Sequence, residues 1–415
     1  MKLAKYSIGV GDRFGMEAEA QLKAVLDVRA QGVPVVPVWN KSNREHVIIG
    51  TSPNDVRAEI DAAVKALNYN GEYYADADHI NLNNVDKFLN ACDFFTLDVA
   101  DYIGKTVEEV EVEKFVAFHK DLWDKSLAID GLSADAMTIT ADDAAAIARK
   151  YLFAIQEAGR IYRHILAAKG DGIVVEVSMD ETDLPQKPKE MLLILLMISD
   201  ERIPAQTIAP KFTGRFNKGV DYVGDLAQFE LEFNDDIAVI AYAVRNFNLQ
   251  DNLKLSVHSG SDKFSIYPII RKAIRRFDAG LHLKTAGTTW LEEVVGLAEA
   301  GGEALQIAKD IYREAYGRFA ELSAPYATVI DIKVPELPSP DDVDKWTSEK
   351  FTSVLRHDQS NPEYNKQFRQ MIHVAFKVAA EMGPRYYGAL KEHRAVIARN
   401  VYENIYARHL KPLFV

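Results

Sequence analysis

Apolar runs of strand length alternate with helix-period segments along most of this chain, and that alternation is the sequence signature of βαβ units in a parallel sheet. Eight strands are expected, at residues 6–10, 33–39, 73–78, 94–99, 173–177, 206–210, 253–257 and 281–284. Eight β/α units close most simply into a TIM-like (β/α)8 barrel, an α/β fold that needs about 250 residues. The chain has 415. Residues 1–300 are therefore expected to form the barrel, with a helical insertion at 102–170, and residues 301–415 a helical C-terminal extension packed on it. Ser52 and Pro53 suit the cap and first turn of one helix, and the run MLLILLMI at 191–198 reads as a buried helix. The stretch VPELPSP, with Pro335, Pro338 and Pro340, suits an extended connector between helical parts.

Acidic residues outnumber basic ones 61 to 49, so no broad basic surface is available to hold a phosphate backbone and nucleic acid is excluded as a partner. The longest apolar run is far shorter than the roughly 20 residues that span a bilayer. No membrane partner is expected. The N-terminal sequence lacks the apolar region of a signal peptide and reads as a first strand. Cys92 is the single cysteine, which excludes an intrachain disulfide and a multi-cysteine zinc motif and fits a cytoplasmic protein, monomer or homodimer.

Barrel enzymes carry their chemistry where strands end and βα loops begin. Here the strand ends bear Asp12 and Arg13, Asp78 and His79, Glu176 and Ser178, Lys211, His258 and Ser259, and His282 with Lys284. Glu176 shares a strand face with Val174 and Ser178, and a carboxylate inside a sheet needs a cation beside it. His79 and His258 lie on opposite sides of the expected barrel, where both reach a central ion; a structural role for either histidine is the plain alternative. Imidazole with carboxylate suits zinc, manganese, iron or nickel. The run VHSGSDKF, containing Ser259 and Ser261, places a turn before a helix start expected at Asp262, an arrangement that binds anions or simply caps a helix. The run APKFTGRFNKGVDYVGD brings Lys211, Arg215 and Lys218 among glycines and aromatics, to grip a carboxylate or stand solvated. Asp98 and Asp101 suit either a site or strand-end caps. GVGDRFG misses the dinucleotide fingerprint on spacing. His119, His164, His357, His373, His393 and His409 fall in helical stretches as surface or packing residues.

The runs YYADADHINLNNVDKF, FFTLDVADYIG, APKFTGRFNKGVDYVGD and SVHSGSDKFSIYPII resemble those of the tagaturonate epimerase family, from the first strand through at least Trp290. The resemblance implies a metal-dependent enzyme of hexuronate catabolism that interconverts D-tagaturonate and D-fructuronate. A second, local resemblance is to class II aldolases, in which an Asp-His pair supplies a base and a metal ligand and a later glycine-serine turn follows another ligand. Asp78-His79, Glu176 and His258-Ser-Gly-Ser261 are similar, but Lys211 stands where those enzymes have a third histidine. The implied ligands are His79 and His258, with Glu176 or His282 completing the set on a divalent metal. The stereocentre that distinguishes the two hexuronates is β to the ketone, so enolisation cannot invert it, whereas retro-aldol cleavage, rotation of the aldehyde and re-addition can. On this reading Asp78 is the base, Glu181 or Asp12 its proton partner, and Lys211, Arg215, Lys218, Ser259, Ser261 and Lys284 bind substrate. An aldolase or lyase acting on a sugar acid, or a sugar-acid-binding barrel without turnover, are the alternatives.

Overall fold

The computed structural model describes residues 1–182, 184–258, 262–285 and 288–415. Eight parallel strands close into a barrel: β1 (Tyr6–Val10), β2 (Val35–Ser42), β3 (Tyr74–Ile80), β4 (Phe94–Asp98), β5 (Val174–Ser178), β6 (Ala205–Ala209), β7 (Lys254–His258) and β8 (Leu281–Lys284). Each strand pairs with its neighbours in chain order, and β1 pairs with β8. The fold is the expected TIM-like barrel. Between β4 and β5 lie the helix Glu109–Phe118, a short antiparallel ribbon and the 29-residue helix Ala141–Lys169.

Strand alternation divides the apolar residues into two layers. Outward side chains such as Ile8, Trp39, Phe95, Val177 and Leu283 join the helices in one continuous core. Inward side chains at the start of the strands, Val36, Val38, Tyr74, Phe94 and Val174, pack with Leu3 as a separate plug. Further along, the interior turns polar with Asp76, Thr96, Glu176, Thr207 and Lys284. The plug closes one end of the barrel and leaves the chemistry at the other. The MLLILLMI run lies in the helix Pro188–Asp200, where all eight of its residues are buried. Among the described residues no helix is long and apolar enough to cross a membrane.

The tail after β8 is helical, beginning with Thr288–Ala300 and Gly302–Gly317 and ending at Lys411–Phe414. It packs as part of the barrel's core: Phe14, just after β1, meets Trp290 at 5.5 Å and Tyr386 at 4.7 Å between ring centroids. The proline-rich stretch forms a 3-10 turn at Val334–Glu336 and a short helix at Pro340–Val343.

One expected helix start is corrected. The helix after β7 begins at Tyr267, after a 3-10 turn over Phe264–Ile266, and Asp262 does not cap it. Asp262 instead has φ +35° and is fully buried against Arg369.

Candidate active site and metal centre

His79 reaches the barrel mouth because β3 breaks its own alternation. Asp76 and Asp78 face inward, and the next inward residue by strict alternation would be Ile80. The β3–β4 register shifts between Ala77 and Ile80, and His79 adopts φ +54°, so Ile80 joins the outer core. Two successive residues, Asp78 and His79, thereby serve the interior. A positive φ is costly for a residue with a Cβ and marks a position held by its surroundings.

Opposite, His258 ends β7 and stacks on His79 with ring centroids 5.4 Å apart. Its Nε2 pairs with Glu176 Oε1 at 2.7 Å, which leaves Nδ1 facing Asp180 Oδ1 at 3.1 Å. Asp180 is held by the Ser178 hydroxyl at 2.6 Å. Ligand atoms of His79, Asp180 and His258 lie within 4.8 Å of one another. This is the one such cluster among the described residues.

Glu176 has both oxygens occupied: Oε1 by His258, Thr96 at 3.2 Å and Lys284 at 3.1 Å, and Oε2 by Thr207 at 2.7 Å. Lys284 also meets Asp76 at 2.9 Å, Asp78 at 2.8 Å and the Thr96 hydroxyl at 2.6 Å, so it anchors a buried network below the mouth. His282 sits deeper, bonded through Nδ1 to Ser7 at 2.9 Å and packed on Phe94, outside the three-residue cluster.

Electrostatics mark the same point. Burial pushes both imidazoles toward the neutral form, yet Asp78 beside His79, and Asp180 with Glu176 beside His258, outweigh it and raise the pKa values to about 10 and about 9. Burial likewise opposes ionisation of Asp78 and Glu176, but the Lys284 ammonium overrides it and holds both well below the usual carboxylate range. Asp76, with less compensation, is pushed up to about 7, by burial first and then by its carboxylate neighbours against the pull of Lys284. A site that draws positive charge onto two imidazoles also suits a cation. The Nδ1 atoms of His79 and His258 are buried without a well-aligned hydrogen bond, and two imidazoles with one carboxylate form a three-ligand set with an open side, as catalytic zinc sites use. The residues fit a divalent metal.

Asp180 and His258 line a cavity of ≈510 Å³, together with Asp101, Glu181, Lys211 and Lys218, among others. Glu181 stands at its rim, half-exposed, 3.8 Å from His79 Nε2. Arg215 also lines it but is exposed and paired with Asp331 at 3.2 Å. Lys211 and Lys218 are in no ion pair among the described residues. Asp12 lies apart: its carboxylate accepts the backbone N–H groups of Phe14, Gly15, Met16 and Glu17 and holds the loop after β1. Ser259 and Ser261 lie outside the described residues.

Asp180 escaped sequence reading, although a signal for it existed. It continues the parity of Glu176 and Ser178 two residues beyond the strand. Asp76, at the same parity as Asp78, was legible in the same way.

A family model described as tagaturonate epimerase matches residues 1–413. The tagaturonate/fructuronate epimerase of Thermotoga maritima is 30% identical over 98% of this chain and 79% of its own length. Among solved structures, the glycerol-complexed fructuronate-tagaturonate epimerase UxaE of Cohnella laeviribosi superposes with a TM-score of 0.83, at 24% identity, over 100% of this chain and 82% of that one. The native form of the same protein gives 0.82 over the same shares. With its sequence matched from the first residue to the last helix, the chain belongs to the tagaturonate epimerase family of isomerases.

Proposed function

We propose that this chain interconverts D-tagaturonate and D-fructuronate by retro-aldol cleavage and re-addition at a divalent metal held by His79, Asp180 and His258. The observation that carries the reading is the two-histidine, one-carboxylate cluster, of which Asp180 and His258 line a cavity with two lysines, Lys211 and Lys218, that are in no ion pair among the described residues. A metal bound there supplies a Lewis acid for the ketone and alcohol oxygens. Glu176 is assigned the supporting role: its bond to Nε2 fixes the tautomer that presents Nδ1 of His258. His282 has no place in this set, being bonded to Ser7.

Asp78 is a poor base in this setting, because Lys284 and His79 both hold its carboxylate in the ionised form. We assign it to positioning, and give proton transfer to Glu181, whose half-exposed carboxylate lines the cavity 3.8 Å from His79 Nε2. Glu181 takes the proton of the hydroxyl on the carbon β to the ketone. That C–O bond becomes a carbonyl, the adjacent C–C bond breaks, and its electron pair enters the enediolate. Lys211 and Lys218 hold the substrate carboxylate on the aldehyde fragment while the aldehyde turns its other face, and the C–C bond re-forms as Glu181 returns the proton. A cytoplasmic setting is supported by cysteine usage, Cys92 being the single cysteine of the sequence.

Product analysis tests the assignment: tagaturonate yields fructuronate as the sole product, whereas two shorter fragments would make the chain a lyase. Glu181→Gln is expected to lower turnover by about 10²-fold or more with bound metal unchanged, the scale of general acid-base terms. An active Glu181→Gln protein would move the proton elsewhere.

A further inference from the structure

Arg369 lies on the helix Lys366–Val374 of the C-terminal extension and is fully buried. Burying a guanidinium is costly unless its donors are satisfied. Here each of its three nitrogens is hydrogen-bonded, and each partner comes from a different segment. Nη2 meets Asp262 Oδ2 at 2.7 Å in the loop after β7, Nε donates to the Gly219 carbonyl at 2.6 Å in the loop after β6, and Nη1 donates to the Leu355 carbonyl at 2.9 Å at the end of the helix Ser348–Leu355. The carboxylate of Glu292 stands 3.7 Å away.

The gripped loop after β6 borders the cavity, and so does His258 at the end of β7. Asp262 follows closely on His258, and it also receives His357 Nδ1 at 3.1 Å. The adjacent Lys263 donates to the carbonyls of Asn217 and Val220, at 2.8 and 2.6 Å, so the two loops are tied to each other as well. Gly219, at φ +76°, follows Lys218, whose own backbone N–H is held by the Val329 carbonyl of the extension at 2.8 Å. Thr328 and Val329 themselves line the cavity. The extension thus holds Lys218 from both sides of the peptide chain.

We infer that Arg369 is a positioning residue for substrate binding: from the C-terminal extension it sets the loop that carries Lys218, and so the seat of the substrate carboxylate. The inference rests on the proposed hexuronate reaction and adds a role for a part of the chain that the barrel chemistry leaves unused. The guanidinium is matched to this task by its fixed fork of donors, which a lysine lacks.

The test compares Arg369→Gln and Arg369→Lys with the wild-type protein, all loaded with metal. Arg369→Gln is expected to raise KM for tagaturonate by about tenfold or more while changing kcat by less than about threefold, since misplaced binding groups act chiefly on substrate affinity. Bound metal stays at the wild-type level. Arg369→Lys, which keeps the charge opposite Asp262 and lacks the second and third branches of the fork, is expected to fall between the two and keeps the comparison open if the glutamine variant does not fold. Wild-type KM in the folded variants, with loss only of thermal stability, would reduce Arg369 to a staple of the fold and overturn the inference. Titration calorimetry with tagaturonate gives the same comparison without turnover. A wild-type chain that binds tagaturonate but forms no fructuronate would refute the functional reading alone, and equal affinity in the variants would refute the positioning role alone.

Discussion

Glu176 shows how one buried carboxylate can organise a group of side chains around it. Its oxygens are shared among His258, Lys284, Thr96 and Thr207, so replacing it should loosen the metal and leave the ligand set in place. Glu176→Gln is expected to weaken metal affinity by about 10- to 100-fold, the usual cost of losing a carboxylate behind a ligating imidazole. His79→Ala and His258→Ala go further and are each expected to abolish both bound metal and turnover while the fold is kept. Metal analysis of the three purified variants separates the two behaviours, and full metal content in both alanine variants would sink the assignment. A different group of carboxyls makes a pH prediction. Glu17 is pushed up to about 9 by burial and then by Asp12, and Glu293 is raised well above the normal range for the same reasons in the same order. The folded state therefore keeps protons that the unfolded chain releases near its ordinary carboxylate pKa, and stability falls as pH rises from about 4.5 towards about 9. Urea midpoints for wild type and Glu17→Gln across that range check this, the variant being expected to show the shallower decline.

At the scale of elements, the barrel was legible because strand period and helix period leave different marks on a sequence. The eight strands fall within a few residues of their expected places. What could not be read were the points where tertiary partners override the local pattern. His79 faces inward only because β3 shifts register there, a distortion that alternation does not foresee. Asp262 resembles a helix cap, yet its partner Arg369 is 107 residues away, beyond any local signal. Of the helical histidines expected as surface or packing residues, His357, His373 and His409 are packing residues, all buried. The helix pair Thr288–Ala300 and Arg394–Glu403 illustrates how closely two helices meet. A Cβ added at Gly296 would come within 2.7 Å of Ile397 Cγ1 and 2.8 Å of its Cα. Gly296→Ala is expected to destabilise the protein by about 1–3 kcal/mol, as overpacking does, with metal content unchanged. Urea denaturation measures the cost.

Over the whole molecule, barrel and extension share a single apolar core, and the family match runs through both. The extension's Val329 and Arg369 hold the loop after β6 that lines the cavity, while strand ends and the residues just beyond them supply the His79–Asp180–His258 cluster, so barrel and extension build the site together. A plug of Val36, Val38, Tyr74, Phe94 and Val174 closes the other end, which confines the chemistry to one mouth. The central claim is that this mouth holds a metal on which epimerisation depends. Metal analysis of the purified protein, followed by chelation and metal restoration with fructuronate formation from tagaturonate as the readout, tests it most directly. The account predicts about one divalent ion per chain, loss of fructuronate formation on chelation and its return with the metal; undiminished turnover in protein shown to be free of metal would contradict it.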